Sequence, residues 1–266
     1  MAGRVSRTVT SLTNPTVKAV RALHLRKARE ESGRFLAEGL KIVTEAVELG
    51  RSPKVLMFAP ETAEHPLLCR AAEAAAAAGG EVVEVTREIL EKVSRRENPQ
   101  TVVAVFDQQF TPLSAIRPQA TCVALHRVRD PGNLGTIVRT ADAAGCGGVI
   151  LVGECVDPFS VEAVRATMGS VFAVPIARAT EAEFLAWRDR WPGSVVGTLL
   201  TAETDHRGAA YQRPVLILMG NEQAGLTPEL AAACDVNVKI PMRGRADSLN
   251  LAVATGIMIY AALDER

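Results

Sequence analysis

Short, nearly continuous apolar runs recur along this chain. Each is followed by a stretch in which apolar positions return every three to four residues. The first pattern fits buried strands and the second amphipathic helices. In the first part of the chain it predicts strands over 34–38, 55–58, 82–85 and 102–106, and helices over 16–31, 40–49 and 66–78. Gly50 and the Gly79-Gly80 pair stop two of these helices. The helix over 66–78 is almost pure alanine, a strong helix former. A polar segment with prolines at 112 and 118 then interrupts the pattern. That is linker chemistry. The expected division is a domain over 1–110, a linker over 111–120 and a domain over 121–266.

The second part alternates more strongly. Strands are predicted over 122–128, 149–152, 171–174, 195–199, 215–219 and 236–240, with helices over 133–145, 159–168, 181–190, 227–233 and 249–264. Apolar strands alternating with helices predict an α/β fold with a mainly parallel sheet covered on both faces. In such sheets ligands sit at the carboxyl ends of the strands. Two of these strands end in Gly220-Asn221-Glu222 and in Pro241-Met242, and the second leads on to Ser248-Leu249-Asn250. Little in the apolar pattern calls for Asn, Glu and Ser there.

Composition narrows the classes. With 266 residues, 48% of them hydrophobic, the chain has material for one large or two ordinary domains. The formal net charge is zero, so global charge points to no partner. Locally, Arg4, Arg7, Lys18, Arg21, Arg26, Lys27, Arg29 and Arg34 face only Glu30 and Glu31, a net of +6. Such a stretch is either a solvated amphipathic helix or a nucleic-acid contact. The five cysteines are scattered without a C-x-x-C pair, so neither zinc nor a disulfide framework is expected and a reducing, cytoplasmic setting fits. No secretory signal and no membrane span are expected.

The common nucleotide-binding, nucleophile-elbow and metalloprotease motifs are missing, and the four histidines lie far apart. Three segments remain. In Arg129–Thr140, Leu134, Ile137, Val138, Ala141 and Ala144 form the apolar stripe of a helix. Arg139 falls nearly opposite that stripe, and Asn133 sits at the helix start, where backbone N–H groups can meet an anion. Met219–Leu226 combines glycines, which admit close approach of a ligand, with Glu222, which can orient a hydroxyl or an amine; a plain turn uses the same residues. In Ile240–Leu251, Ser248 is a natural N-cap for the last helix, and Asn250 falls in its first turn without a propensity advantage. That helix is apolar nearly all round, which marks a core or an interface.

These segments, in this order, resemble the three motifs of the SpoU/TrmH family of RNA ribose 2′-O-methyltransferases, within the SPOUT superfamily. Asp130-Pro131-Gly132-Asn133-Leu134-Gly135 with Arg139-Thr140-Ala141 resembles the first motif. Met219-Gly220-Asn221-Glu222 with Gly225 resembles the second. Ile240-Pro241-Met242, Ser248-Leu249-Asn250 and Ala254-Thr255-Gly256 resemble the third. Arg34–Leu40 resembles the start of the family's smaller substrate-binding domain, which is similar to ribosomal protein L30e.

The resemblance implies a C-terminal trefoil knot, which general topology rules make rare, and a homodimer packed through that domain. It implies S-adenosylmethionine as methyl donor, with no metal, held by Thr198, Leu199, Gly220, Asn221, Ile240, Met242 and Leu249. It places Arg139, Asn133, Glu222, Ser248 and Asn250 in catalysis, Arg139 being either the base or an electrostatic stabiliser. A guanidinium with a pKa above about 12 makes the electrostatic role physically easier. Lys18, Arg21, Arg26, Lys27 and Arg29 then become candidate RNA contacts. Ribosomal RNA of the 23S type is the expected substrate. Transfer RNA, an antibiotic-resistance methylation and a non-catalytic ribosome-assembly factor are the alternatives.

Overall fold

In a computed structural model, residues 7–116, 118 and 121–263 are described. Arg4 and linker positions 117, 119 and 120 lie outside them. The chain forms two compact units. One comprises the chain up to Gln108 together with Phe159–Phe172, the other Gln109–Pro158 and the chain from Ala173 onward.

The first unit contains β1 (Arg7–Val9), α1 (Pro15–Ala22), α2 (Arg26–Ser32), β2 (Arg34–Glu38), α3 (Leu40–Glu48), β3 (Val55–Phe58), α4 (Pro66–Ala77), β4 (Glu81–Val85), α5 (Arg87–Ser94) and β5 (Val102–Asp107). The sheet order is β1-β4-β3-β5-β2, with β5 antiparallel to both neighbours. Alternation along β2 sends Leu36 into a core with Met57, Val83, Val103 and Val105. Phe35 takes the other face and meets Phe106, Phe159 and Phe172 at ring separations of 6.1, 4.9 and 5.6 Å.

The single helix expected over 16–31 is in fact two. Leu25 is extended, and Arg29, only 4% exposed, turns back to donate to the carbonyls of Leu23 (2.8 Å) and His24 (3.1 Å). The break buries Leu23 and gives the carbonyls at the turn after α1 a donor. Helix α5, capped by Thr86, and the short β1 are additions to the predicted set.

The second unit carries β6 (Cys122–His126), α6 (Pro131–Ala143), β7 (Gly148–Val152), β8 (Ile176–Ala179), α8 (Glu181–Arg188), β9 (Val195–Thr198), β10 (Thr204–Asp205), β11 (Leu216–Met219), α9 (Pro228–Ala232), β12 (Val236–Lys239) and α10 (Leu251–Leu263). Its sheet runs β10-β12-β9-β11-β6-β7-β8 with every described pairing parallel. Strands β6, β7 and β11 are buried throughout, as their unbroken apolar runs require.

Between β7 and β8 the chain leaves this unit. Helix α7 (Val161–Thr167) was expected within the second domain, but Val161 joins the core of the first unit. Arg165 is bound there to Glu38 by contacts of 2.7–3.1 Å. The strand expected over 171–174 is correspondingly absent. A short 3-10 turn at Ser170–Phe172 delivers Phe172 to the aromatic cluster, and the edge strand begins only at Ile176.

Strands β6, β7 and β8 follow one another toward one edge, whereas β9 and β12 lie on the far side of β11. The order therefore changes direction beside β6 and β11. Ligand crevices of parallel α/β sheets form at the carboxyl ends of strands at such a point.

Candidate active site

Three loops meet at the carboxyl ends of β6, β11 and β12. After β6, Asp130 caps α6 by accepting from the Asn133 N–H at 2.6 Å, and Pro131 occupies the first turn without needing a partner. The Glu222 carboxylate, from the loop after β11, accepts from the backbone N–H groups of Arg129 and Asp130 at 3.2–3.3 Å. The anion expected at this helix start is thus supplied by the chain itself.

Glu222 also accepts from Asn133 Nδ2 at 3.4 Å. An ionised carboxylate only accepts, so the Asn133 amide is orientated with its oxygen outward. That oxygen accepts from Asn250 Nδ2 at 2.8 Å. Asn250 Oδ1 in turn caps α10, accepting from the N–H groups of Ala252 (2.9 Å) and Val253 (3.3 Å). Asn250, not Ser248, is therefore the cap, because α10 starts at Leu251. Glu222, Asn133 and Asn250 form one polar chain joining three segments far apart in sequence.

The loop after β11 is closed by reciprocal bonds between the backbones of Asn221 and Gly225, with Gly225 in the left-handed region at φ 70°. Asn221 Oδ1 accepts from the N–H groups of Gln223 and Ala224, and its Nδ2 donates to the Arg127 carbonyl at 2.8 Å. Gly220 packs so tightly that an added Cβ would lie 2.2 Å from the Gly225 carbonyl carbon.

Beside this loop is a cavity of about 610 Å³, within the usual size of small-molecule sites. Leu199, Ile240, Met242 and Leu249 give it apolar walls, with Thr198, Gly220 and Asn221 completing the expected donor set. Asn133, Glu222, Ser248 and Asn250 line it as well. The Thr198 hydroxyl is buried without a hydrogen-bond partner among the described residues.

Arg139 stands apart from these residues. It is exposed on α6, has no hydrogen-bond or ion-pair partner among the described residues, and does not line the cavity.

Sequence reasoning missed Gln223, Ala224 and Leu226, which also line the cavity; their place in the turn after Glu222 was the available signal. It also missed Arg127 and Arg129, which flank the fully buried Val128 just beyond the end of β6. The Arg127 guanidinium lies 2.6 Å from Glu181 Oε1. His126, 2% exposed, approaches the same oxygen through Nε2 at 3.1 Å. The hydrogen bond from His126 and the charge of Arg127 hold the Glu181 carboxyl below its usual 4.5.

In the first unit the expected RNA contacts divide. Lys18 and Arg21 are exposed on α1. Arg26 and Lys27 are exposed but paired with Glu30 and Glu31. Arg29 is a correction: it is buried and holds the α1–α2 corner. Arg7 and Arg34 face Glu81 and Asp107, so the +6 stretch is partly neutralised by acids distant in sequence. Among the described residues no cluster of three or more His, Cys, Asp or Glu is placed to hold a metal, and no helix is long and apolar enough to cross a membrane.

The SpoU rRNA Methylase family model matches residues 120–260, and an MRM3-like substrate binding domain matches residues 14–104. The chain is 30% identical to the 23S rRNA (guanosine(2553)-2′-O)-methyltransferase RlmP of Bacillus subtilis, over 95% of this chain and 97% of that protein. It is 32% identical to the 23S rRNA (uridine(2479)-2′-O)-methyltransferase of Streptomyces viridochromogenes, over 91% of this chain and 86% of that protein. The crystal structure of an AdoMet-bound rRNA methyltransferase from Sinorhizobium meliloti superposes with a TM-score of 0.90 at 53% identity, covering 96% of each chain. A family model covering more than half the chain, and relatives matched over nearly their whole length, place it together with the strand-end loops: the chain belongs to the SpoU rRNA methylase family.

Proposed function

We propose that this protein transfers a methyl group from S-adenosylmethionine to a ribose 2′-hydroxyl of 23S-type ribosomal RNA. The observation that carries the proposal is the Glu222–Asn133–Asn250 chain on the rim of an apolar strand-end cavity. The residues present fit the donor. Leu199, Ile240, Met242 and Leu249 suit its apolar parts, and the unpartnered Thr198 hydroxyl leaves a polar contact free. When bound, the donor would supply an electrophilic sulfonium methyl that the ribose oxygen can attack directly, with the C–S bond breaking, the neutral thioether leaving and the hydroxyl proton passing to solvent, so that no metal is needed.

The protein's own residues then bind and orient. Asn133, Glu222, Ser248 and Asn250 position the ribose, the first two held by hydrogen bonds to each other and to the backbone before α6. Such positioning supplies much of the rate in a direct transfer. Arg139 meets the ribose and its phosphate and stabilises developing negative charge, a role suited to a guanidinium, which offers donors and no acceptor. Lys18 and Arg21 contact RNA from the first unit, with Arg26 and Lys27 able to exchange their surface carboxylates for phosphates.

The same reading includes the trefoil knot, a cytoplasmic site of action and a homodimer formed through the C-terminal unit. Helix α10 leaves Val253 and Tyr260 52% and 53% exposed, an apolar face suited to a second copy.

The test uses purified protein, radiolabelled S-adenosylmethionine, and transcribed 23S rRNA and tRNA as separate substrates. Alkali-resistant label at one 23S position is expected. Label in tRNA alone would overturn the substrate, and donor binding without label in either RNA would overturn the reaction.

A further inference from the structure

A second cavity, of about 730 Å³, also borders the 221–226 loop. The two cavities share Asn221, Glu222 and the rest of that loop as a common wall. The second is also lined by His126, Arg127, Arg129 and Asp130, at the carboxyl end of β6.

Its charges are unequally satisfied. The Asp130 carboxylate is engaged by the Asn133 N–H, and the Glu222 carboxylate by two backbone N–H groups and the Asn133 and Asn221 amides. Arg127 is matched by Glu181. Arg129 is exposed, and its guanidinium has no hydrogen-bond or ion-pair partner among the described residues. His126 is 2% exposed, and its Nδ1 is buried without a partner among the described residues.

The backbone adds an independent sign. Arg127 sits at φ 49°, in the left-handed region, where glycine or asparagine is at less cost. It is held there by its N–H on the Val152 carbonyl at 3.0 Å and by Asn221 on its own carbonyl. Gly153 makes room for its side chain, since a Cβ there would lie 3.3 Å from Arg127 Cγ. Strained positions kept for a particular side chain gather at binding sites.

We propose that this groove, through Arg129 and Arg127, receives the phosphodiester backbone of the RNA strand beside the nucleotide being methylated. The proposal rests on the RNA methylation proposed above. A phosphate fits better than a neutral ligand because the unsatisfied Arg129 guanidinium is cationic and the nearby Asp130 and Glu222 carboxylates are each engaged by donors of the chain itself. The shared wall lets one strand occupy both cavities, with the target ribose on the donor side and a neighbouring phosphate on the arginine side.

The test compares wild type, Arg129→Gln and Arg129→Lys on transcribed, unmodified 23S rRNA. Binding is measured across a salt series and methyl transfer in parallel. With Arg129→Gln, RNA binding should weaken and KM rise by about fivefold, and the slope of log affinity against log salt should fall by about 0.7–0.9. Donor affinity by calorimetry and Tm should stay at wild-type values, and Arg129→Lys should restore most of the salt slope. Wild-type salt slope and KM in Arg129→Gln would overturn the groove. So would equal loss of donor and RNA affinity, which marks a structural residue. Absence of methyl transfer by wild type would count against the function instead, and the salt slope of binding would still test the groove.

Discussion

Arg139 and Glu222 differ in how far each is engaged by its neighbours. Glu222 is committed, accepting from backbone and amide donors around the start of α6. Arg139 is uncommitted and exposed. Arg139→Ala should therefore lower kcat by roughly 10²–10³-fold, the usual cost of a charge-stabilising donor, while Tm and donor affinity stay constant. Equal loss of methyl transfer and donor binding would contradict its role. Glu181 sets a pH dependence. Its carboxyl titrates below the usual value because His126 and Arg127 stabilise the anion. The resulting stability is present above about pH 4.5 and lost as the pH falls through the depressed pKa. Glu181→Gln should lower Tm near pH 7 and converge on wild type in acid. Parallel Tm curves from pH 7 to 3 would refute this linkage.

At the level of elements, Asn250 separates capping from site geometry. Asn250→Ala loses both the α10 cap and the bond to Asn133, and should cost about 1 kcal/mol and roughly 2–4 °C in Tm. Asn250→Asp keeps an acceptor for the Ala252 and Val253 N–H groups but has no donor for Asn133 Oδ1. It should hold Tm near wild type yet lower kcat, a split visible by calorimetry and single-turnover kinetics. In the first unit, Arg165→Ala strands the Glu38 carboxylate, which is 5% exposed. Denaturant unfolding should show a loss of about 3–5 kcal/mol, with Glu38→Gln milder. Strands such as β3, β7 and β11 were legible because each is an unbroken apolar run, whereas β1, β8 and β10 carry charged or polar residues and were not. The α1–α2 corner was not, because the Arg29 side chain that makes it looks like any other base in a charged stretch. The 3-10 turn at Ser170–Phe172 was missed for a related reason: Val171, Phe172 and the following Val174 satisfy a strand pattern, and only the partner of Phe172 decides otherwise.

For the whole molecule, the strand-end loops could be located in sequence, since polar residues closed apolar runs there. What could not be read is connectivity through side chains. Nothing in the spacing of Asn133, Glu222 and Asn250 says that one amide links the other two. The basic N-terminal stretch was likewise overestimated, because Glu81 and Asp107 return from distant strands to neutralise part of it. The segment Phe159–Phe172, which completes the first unit after the chain has begun the second, has a consequence for biosynthesis. When Gln108 leaves the ribosome, the first sheet still lacks Phe159, Phe172 and the arginine that neutralises Glu38. At roughly 5–20 residues per second, several seconds pass before they arrive. During that interval Phe35 and Phe106 stay bare on the nascent chain, so a translational pause between residues 109 and 158 lengthens the period in which it is open to aggregation or chaperone capture.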